Sequence, residues 1–143
     1  FYLEIVIIKL VMEESVIFDT TTFPNINVTI NSMNNDKEYN LFINKWKELY
    51  DTYNKNFNLF IDTKKLTLNN VSLLNAYKIP VFINYLKKNK PKFLVKTIIY
   101  VYSKSILNIF KMIFKIQKPL SNVYIILNTD DVKSNKTYVF KNE

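Results

Sequence analysis

Between residues 16 and 127 the chain alternates compact apolar runs with segments whose apolar residues return every three or four positions. A compact run stopped by polar residues is the pattern of a buried strand, whereas a three-four repeat marks one face of a helix. Residues 16–18 and 25–30 read as short strands; a Thr-rich stretch ending at Pro24 separates them, which suits a hairpin. Tyr39, Phe42, Ile43, Trp46, Leu49, Tyr50 and Tyr53 then share one helical face. Asn35, with Glu38 three positions on, supplies a capping-box start to that helix.

The pattern repeats downstream. Residues 57–61 form a compact apolar run stopped by Asp62. A second helix is predicted from a cap at Asn69 or Asn70 to about Lys88, with Leu73, Ala76, Ile79, Ile83 and Leu86 inward and a kink at Pro80. Residues 97–102 make an Ile/Val/Tyr-rich strand and residues 104–117 a third helix ended before Pro119. Residues 123–127 are another buried strand, and residues 138–140 a short edge strand. Strands alternating with amphipathic helices predict an α/β fold: a mixed, mostly parallel sheet of about five strands covered by three to four helices.

At 143 residues and 48% hydrophobic content, one core is expected. Residues 13–143 are read as a single domain. Met12 precedes an acidic, cap-like Glu13-Glu14-Ser15, so residues 1–12 are read as an upstream extension. The apolar run from Ile5 to Ile8 is bracketed by Glu4 and Lys9 and is too short for a signal core or a transmembrane segment.

Four residue types are missing altogether: Gly, His, Cys and Arg. Without His there is no neutral-pH proton shuttle and no imidazole ligand; without Cys there is no thiolate ligand and no disulfide of an oxidising compartment. Without Gly neither a Walker loop nor a dinucleotide turn can bring its backbone close to a phosphate. Carboxylate, Ser-Lys and Schiff-base chemistry remain, yet no partnered site for any of them is visible. The expectation is an intracellular, cytoplasmic protein that is not an enzyme and needs no cofactor or metal.

The third helix is the most informative segment. Lys104, Asn108, Lys111, Lys115 and Lys118 are spaced four, three, four, three, which gathers them into an arc of roughly 80°. Ile106, Leu107, Ile109, Phe110, Met112, Ile113, Phe114 and Ile116 cover roughly 220°, more than one sheet face needs. Neighbouring helices or chain ends bury the excess, or it serves an apolar ligand cavity, a partner surface or an anionic membrane. Leu107, Phe110, Met112, Ile113 and Phe114 are the candidates for an apolar ligand or partner.

Charge is segregated as well, with 12 Lys and no acid from Lys64 to Lys118. Such a field steers phosphate or acidic partners, although AT-rich coding bias accounts for the same lysines on a solvated face. The candidate basic patch is Lys87, Lys88, Lys90 and Lys92, with Lys111 and Lys115. Nucleic acid is a weak expectation, because bidentate Arg is absent and aromatics do not interleave with the lysines. Asp62 ends a predicted parallel strand, where α/β proteins tend to place sites; the plainer role is to bond the loop that follows.

Two stretches resemble known families. Residues 56–62, Asn-Phe-Asn-Leu-Phe-Ile-Asp, with Leu66-Thr-Leu-Asn-Asn70 and the segment from Ser72, resemble the core of STAS domains, the anti-sigma-factor-antagonist fold. Residues 90–119, from Lys90-Pro-Lys-Phe-Leu to Lys118-Pro119, are similar to the later half of CRAL-TRIO domains. Together they cover about residues 13–128. The resemblance implies a non-catalytic module for a lipid-like ligand or an anionic membrane, or else a regulatory protein-interaction module. Val71 stands where the phosphorylated serine of a STAS switch would be, so only Ser72 remains to replace it. The chain also looks short for a full set of CRAL-TRIO gate helices. The Lys/Asn-rich, Gly-free style resembles proteins of large DNA viruses.

Overall fold

A computed structural model of the chain describes residues 14–128 and 136–142, together with Leu3. The expected upstream extension, apart from Leu3, and the run from Ile5 to Ile8 lie outside the described residues.

The described chain is α/β: six strands in one sheet and three longer helices. The strands are β1 (Val16–Asp19), β2 (Asn25–Ile30), β3 (Phe57–Asp62), β4 (Leu94–Val101), β5 (Val123–Leu127) and β6 (Lys136–Phe140). The helices are α1 (Asp36–Tyr53), α2 (Lys78–Asn89) and α3 (Lys104–Ile116). Sequence reading suggests about five strands, and the structure has six because residues 136–140 pair along their whole length with β5.

Strand order in space follows strand order in sequence, β1-β2-β3-β4-β5-β6. The four inner strands run parallel, and β1 and β6 are antiparallel edges. Each helix therefore carries the chain one place further in the same direction. Right-handed crossovers that all step the same way put every helix on the same face.

Burial confirms the one-sided arrangement. Ile26, Val28 and Ile30 of β2, Leu59 and Ile61 of β3, Ile99 and Val101 of β4, and Val123, Ile125 and Leu127 of β5 are all buried. The register places them in rows, for instance Val28, Ile61, Ile99 and Ile125. Rings from the helices meet this face: Phe42 of α1 on Phe18, Tyr50 of α1 on Phe57, and Phe114 of α3 on Phe140. The opposite face carries Phe60, Ile98, Tyr100, Tyr124 and Ile126, each half-buried.

Local chemistry sets the helix ends. Asn35 Oδ1 accepts from Glu38 N at 3.0 Å, the first half of the predicted capping box. The reciprocal half is shifted by one residue, because the Glu38 carboxylate accepts from Asn34 N at 2.9 Å and from Ser32 Oγ at 2.5 Å. Burial alone would raise the Glu38 pKa, but these hydrogen bonds favour the ionised form and hold it below the usual value. At its other end α1 stops at Asn54, which takes φ 50° and ψ 40°. Asn is the side chain best suited to that left-handed position when a chain has no Gly.

The second helix differs from expectation. It begins at Lys78, not near residue 70, because residues 64–77 form successive turns. Pro80 consequently falls in the first turn, where its missing N–H has no intrahelical partner to lose, and the predicted mid-helix kink has no place. Ala76, Ile79, Ile83 and Leu86 are buried as predicted, whereas Leu73 is 55% exposed.

Candidate functional site

The excess apolar surface of α3 resolves into two parts. Ile106, Leu107 and Ile113 are buried against the sheet, while Ile109, Phe110 and Phe114 are half-buried and Met112 and Ile116 exposed. Ser103 starts the helix by accepting from Ile106 N at 3.2 Å, and that cap fixes which side turns inward.

Between α3, the other two helices and the sheet lies a cavity of about 80 Å³. From α3 it is lined by Ile106, Ile109, Phe110, Ile113 and Phe114; Ile83 of α2, Trp46 of α1 and Ile99 of β4 also line it. Leu107 and Met112 do not line it; Leu107 is packed in the core and Met112 is 42% exposed. The lining is almost wholly apolar. One exception is Ser121, which is 7% exposed and whose Oγ has no hydrogen-bond partner. An unpaired buried hydroxyl costs about 1–3 kcal/mol. Trp46 Nε1 also lacks a partner of normal geometry, although the indole lies close enough to favour ionisation of the Tyr50 hydroxyl slightly. Burial outweighs that contact and pushes the Tyr50 pKa up to about 12.

Beside the cavity, at the edge of the sheet where the parallel strands begin, is a hollow of about 310 Å³. Lys87, Lys90, Lys92, Tyr50 and Asn142 line it, with Leu94 and Leu120 at its base. Leu94 and Leu120 also line the apolar cavity, so they form the partition between the two spaces. Lys90 is paired to Asp51 at 3.1 Å. Burial, and then the nearby Lys118 ammonium, hold Lys87 below the usual lysine value.

The predicted basic patch is thereby divided. Lys87, Lys90 and Lys92 come together at the hollow, and Lys88 is exposed without lining it. Lys111 lies elsewhere, with its Nζ 4.5 Å from the centre of the Tyr138 ring on β6, and Lys115 is exposed in the last turn of α3. Sequence reasoning missed Lys118 as a member of the cluster, and it missed Ser121 and Leu120. Lys118-Pro119 signalled only the end of α3, since the residue before a proline is held out of the helical region.

Asp62 Oδ1 accepts from Lys64 N at 2.9 Å, which is the loop-closing role. Its negative charge, after burial, also helps to raise the Tyr102 pKa. The argument for a site at that strand end weakens for a topological reason. A crevice opens in a parallel sheet where strand order reverses, and here the order runs without reversal. Nearby, Ser72 Oγ accepts from Asn75 N at 3.3 Å and from Asn75 Nδ2 at 3.1 Å, so it closes a turn.

Among the described residues no three metal-ligating side chains come together, and no helix is long and apolar enough to cross a membrane. Neither family models, curated proteins nor solved structures give a match to this chain.

Proposed function

We propose that this chain is a non-catalytic binding module of STAS/CRAL-TRIO-like type that holds an apolar, lipid-like group between its helices and the sheet. The observation that carries the reading is the apolar cavity bounded by Phe110, Ile113 and Phe114, at the helix whose apolar arc exceeds what the sheet covers. Interiors are ordinarily packed to crystal-like density with few voids larger than a water molecule, so a gap here is a feature to explain.

Size sets the terms. An apolar cavity of about 150 Å³ takes up benzene, and ligand pockets for drug-sized molecules run from about 300 Å³ upward. At about 80 Å³ the cavity accepts a few methylene groups, and a longer chain requires Phe110 and Phe114 to swing aside. Both rings are half-buried, with centres 6.4 Å apart, and so have room on their outer side.

Native mass spectrometry of the purified protein tests the reading. Adducts lost on organic extraction, and reduced in Ile113→Trp, support it; an adduct-free protein that Trp46 fluorescence shows to be indifferent to added alkyl chains ends it. A regulatory protein-interaction module is the rival. Its support is the exposed row Leu73, Leu74, Tyr77 and Val81 before and within the first turns of α2, and it predicts that Leu74→Asp abolishes an association that Ile113→Trp leaves intact.

A further inference from the structure

The lysine hollow and the apolar cavity share a wall, and that juxtaposition specifies a ligand more closely than either space does. We infer that the hollow lined by Lys87, Lys90 and Lys92, with Lys118 beside it, binds the anionic group of an amphiphile whose apolar chain enters the cavity past Leu94 and Leu120. This deepens the proposed function and rests on it.

The argument starts from where the lysines sit. A lysine in the last turn of a helix needs no ligand to explain it, because it meets the partial negative charge of the helix end. Lys87 has that explanation, being in the last turn of α2. Lys92 does not, for it lies on the loop into β4, and neither does Lys118, which lies beyond the end of α3. The chain thus lines one hollow with lysines from the end of α2 and the loop into β4, and the charge of Lys118 reaches Lys87 from beyond α3. Burial first, and then the like charge of Lys118, lower the Lys87 pKa.

Compensation from the protein is incomplete. Asp51 neutralises Lys90, and among the described residues no carboxylate lines the hollow. Lys87, Lys92 and Lys118 have no acidic partner among the described residues. An anion seated there would relieve their repulsion, and the Tyr50 hydroxyl, with its pKa at about 12, stays protonated beside it. At about 310 Å³ the hollow admits a hydrated phosphate or a carboxylate. Leu94 and Leu120 then stand where such a ligand turns from charged to apolar, with Ser121 one residue further in.

Trp46 is the only tryptophan and lines the cavity, so its fluorescence reports on occupancy. Four probes separate the outcomes: decyl phosphate, decanoate, decanol and inorganic phosphate, each titrated at low salt with calorimetry in parallel. The inference expects decyl phosphate and decanoate to bind about tenfold more tightly than decanol, the size of three exposed charge contacts. That advantage should shrink with added salt and vanish in the triple variant Lys87→Gln, Lys92→Gln, Lys118→Gln, while decanol affinity stays unchanged. Equal affinity of the acid and alcohol for the wild type overturns the inference and leaves the apolar reading standing. Lysine-dependent binding of inorganic phosphate with no response to any decyl compound means a free-anion site, and overturns both the amphiphile and the cavity reading. The substituted lysines are on the surface, and unchanged unfolding midpoints establish that the variant is folded.

Discussion

The helix layer covers the two halves of the sheet in different ways. Over β1 to β3 the filling is aromatic and continuous. Phe18 meets Phe42 at 5.9 Å between ring centres, Phe42 meets Trp46 at 5.7 Å, and Trp46 meets Phe82 edge-on at 5.3 Å. Tyr50 sets its edge on Phe57 at 5.3 Å. Over β4 to β6 the filling is largely aliphatic, and Phe110 and Phe114 stand at its margin rather than in it. The cavity lies where these two regimes meet. Flat rings that pack edge to face fill the space under α1, whereas α3 rests on narrower side chains and leaves room. A sheet can thus be closely packed in one half and leave a gap in the other without any change of topology.

The largest test of that contrast is a pair of deletions. Phe57 is fully buried under Tyr50, and Phe57→Ala should cost about 3–5 kcal/mol, as for other buried rings. Phe114 is half-buried beside an existing void, so Phe114→Ala should cost about 1–2 kcal/mol, because fewer contacts are lost. Urea unfolding of both variants decides the matter. Equal losses would mean that the α3 half is packed as firmly as the α1 half, and the contrast would be gone.

A smaller effect of opposite sign is expected from filling the gap. Ser121→Val removes a hydroxyl that has no partner and adds a methyl group towards the cavity. The variant should be more stable by about 1 kcal/mol and should take up decanol less well. Destabilisation by a similar amount would show that the hydroxyl has an ordered water in solution and that the cavity is wet.

Much of this architecture was legible in the sequence, for reasons that can be assigned to particular residues. The α3 end follows from Pro119 and the α1 start from Asn35, because caps and prolines act locally, whereas the Ser103 cap of α3 emerged only from the structure. The α2 start was not legible. Leu73 and Ala76 continue the helical spacing backwards from Ile79, but the Thr67, Asn70 and Ser72 side chains bond the backbone in turns instead. Of the site, the α3 residues Phe110, Ile113 and Phe114 could be chosen from periodicity alone. Their partners could not, since Leu94 and Leu120 meet only after the β4-α3-β5 crossover has brought two strand entries together. The one-sided sheet was also hidden, because it depends on the spatial order of the strands, which periodicity does not encode.

The smallest effect concerns the helix starts in the two halves, and it separates them by pH. Ser103 caps α3 with a hydroxyl, so that start should be indifferent to acid. The start of α1 depends on the Glu38 carboxylate, whose pKa in the fold is held below the ordinary 4.5. A lowered carboxylate pKa contributes stability that is present above the unfolded value and is lost as pH falls through the folded value. Lowering the pH from neutrality to well below the ordinary 4.5 should therefore loosen α1 first, removing about half a kcal/mol, the lower range for loss of a helix cap. In Glu38→Gln the one amide oxygen can keep the bond from Asn34 N while the amide NH2 donates to Ser32 Oγ, and the group cannot titrate, so that part of the acid dependence should flatten. Amide hydrogen exchange at the two helix starts measures this directly. Equal acid loosening at residues 36–39 and 104–107 would place the pH sensitivity outside the caps and remove this distinction between the halves.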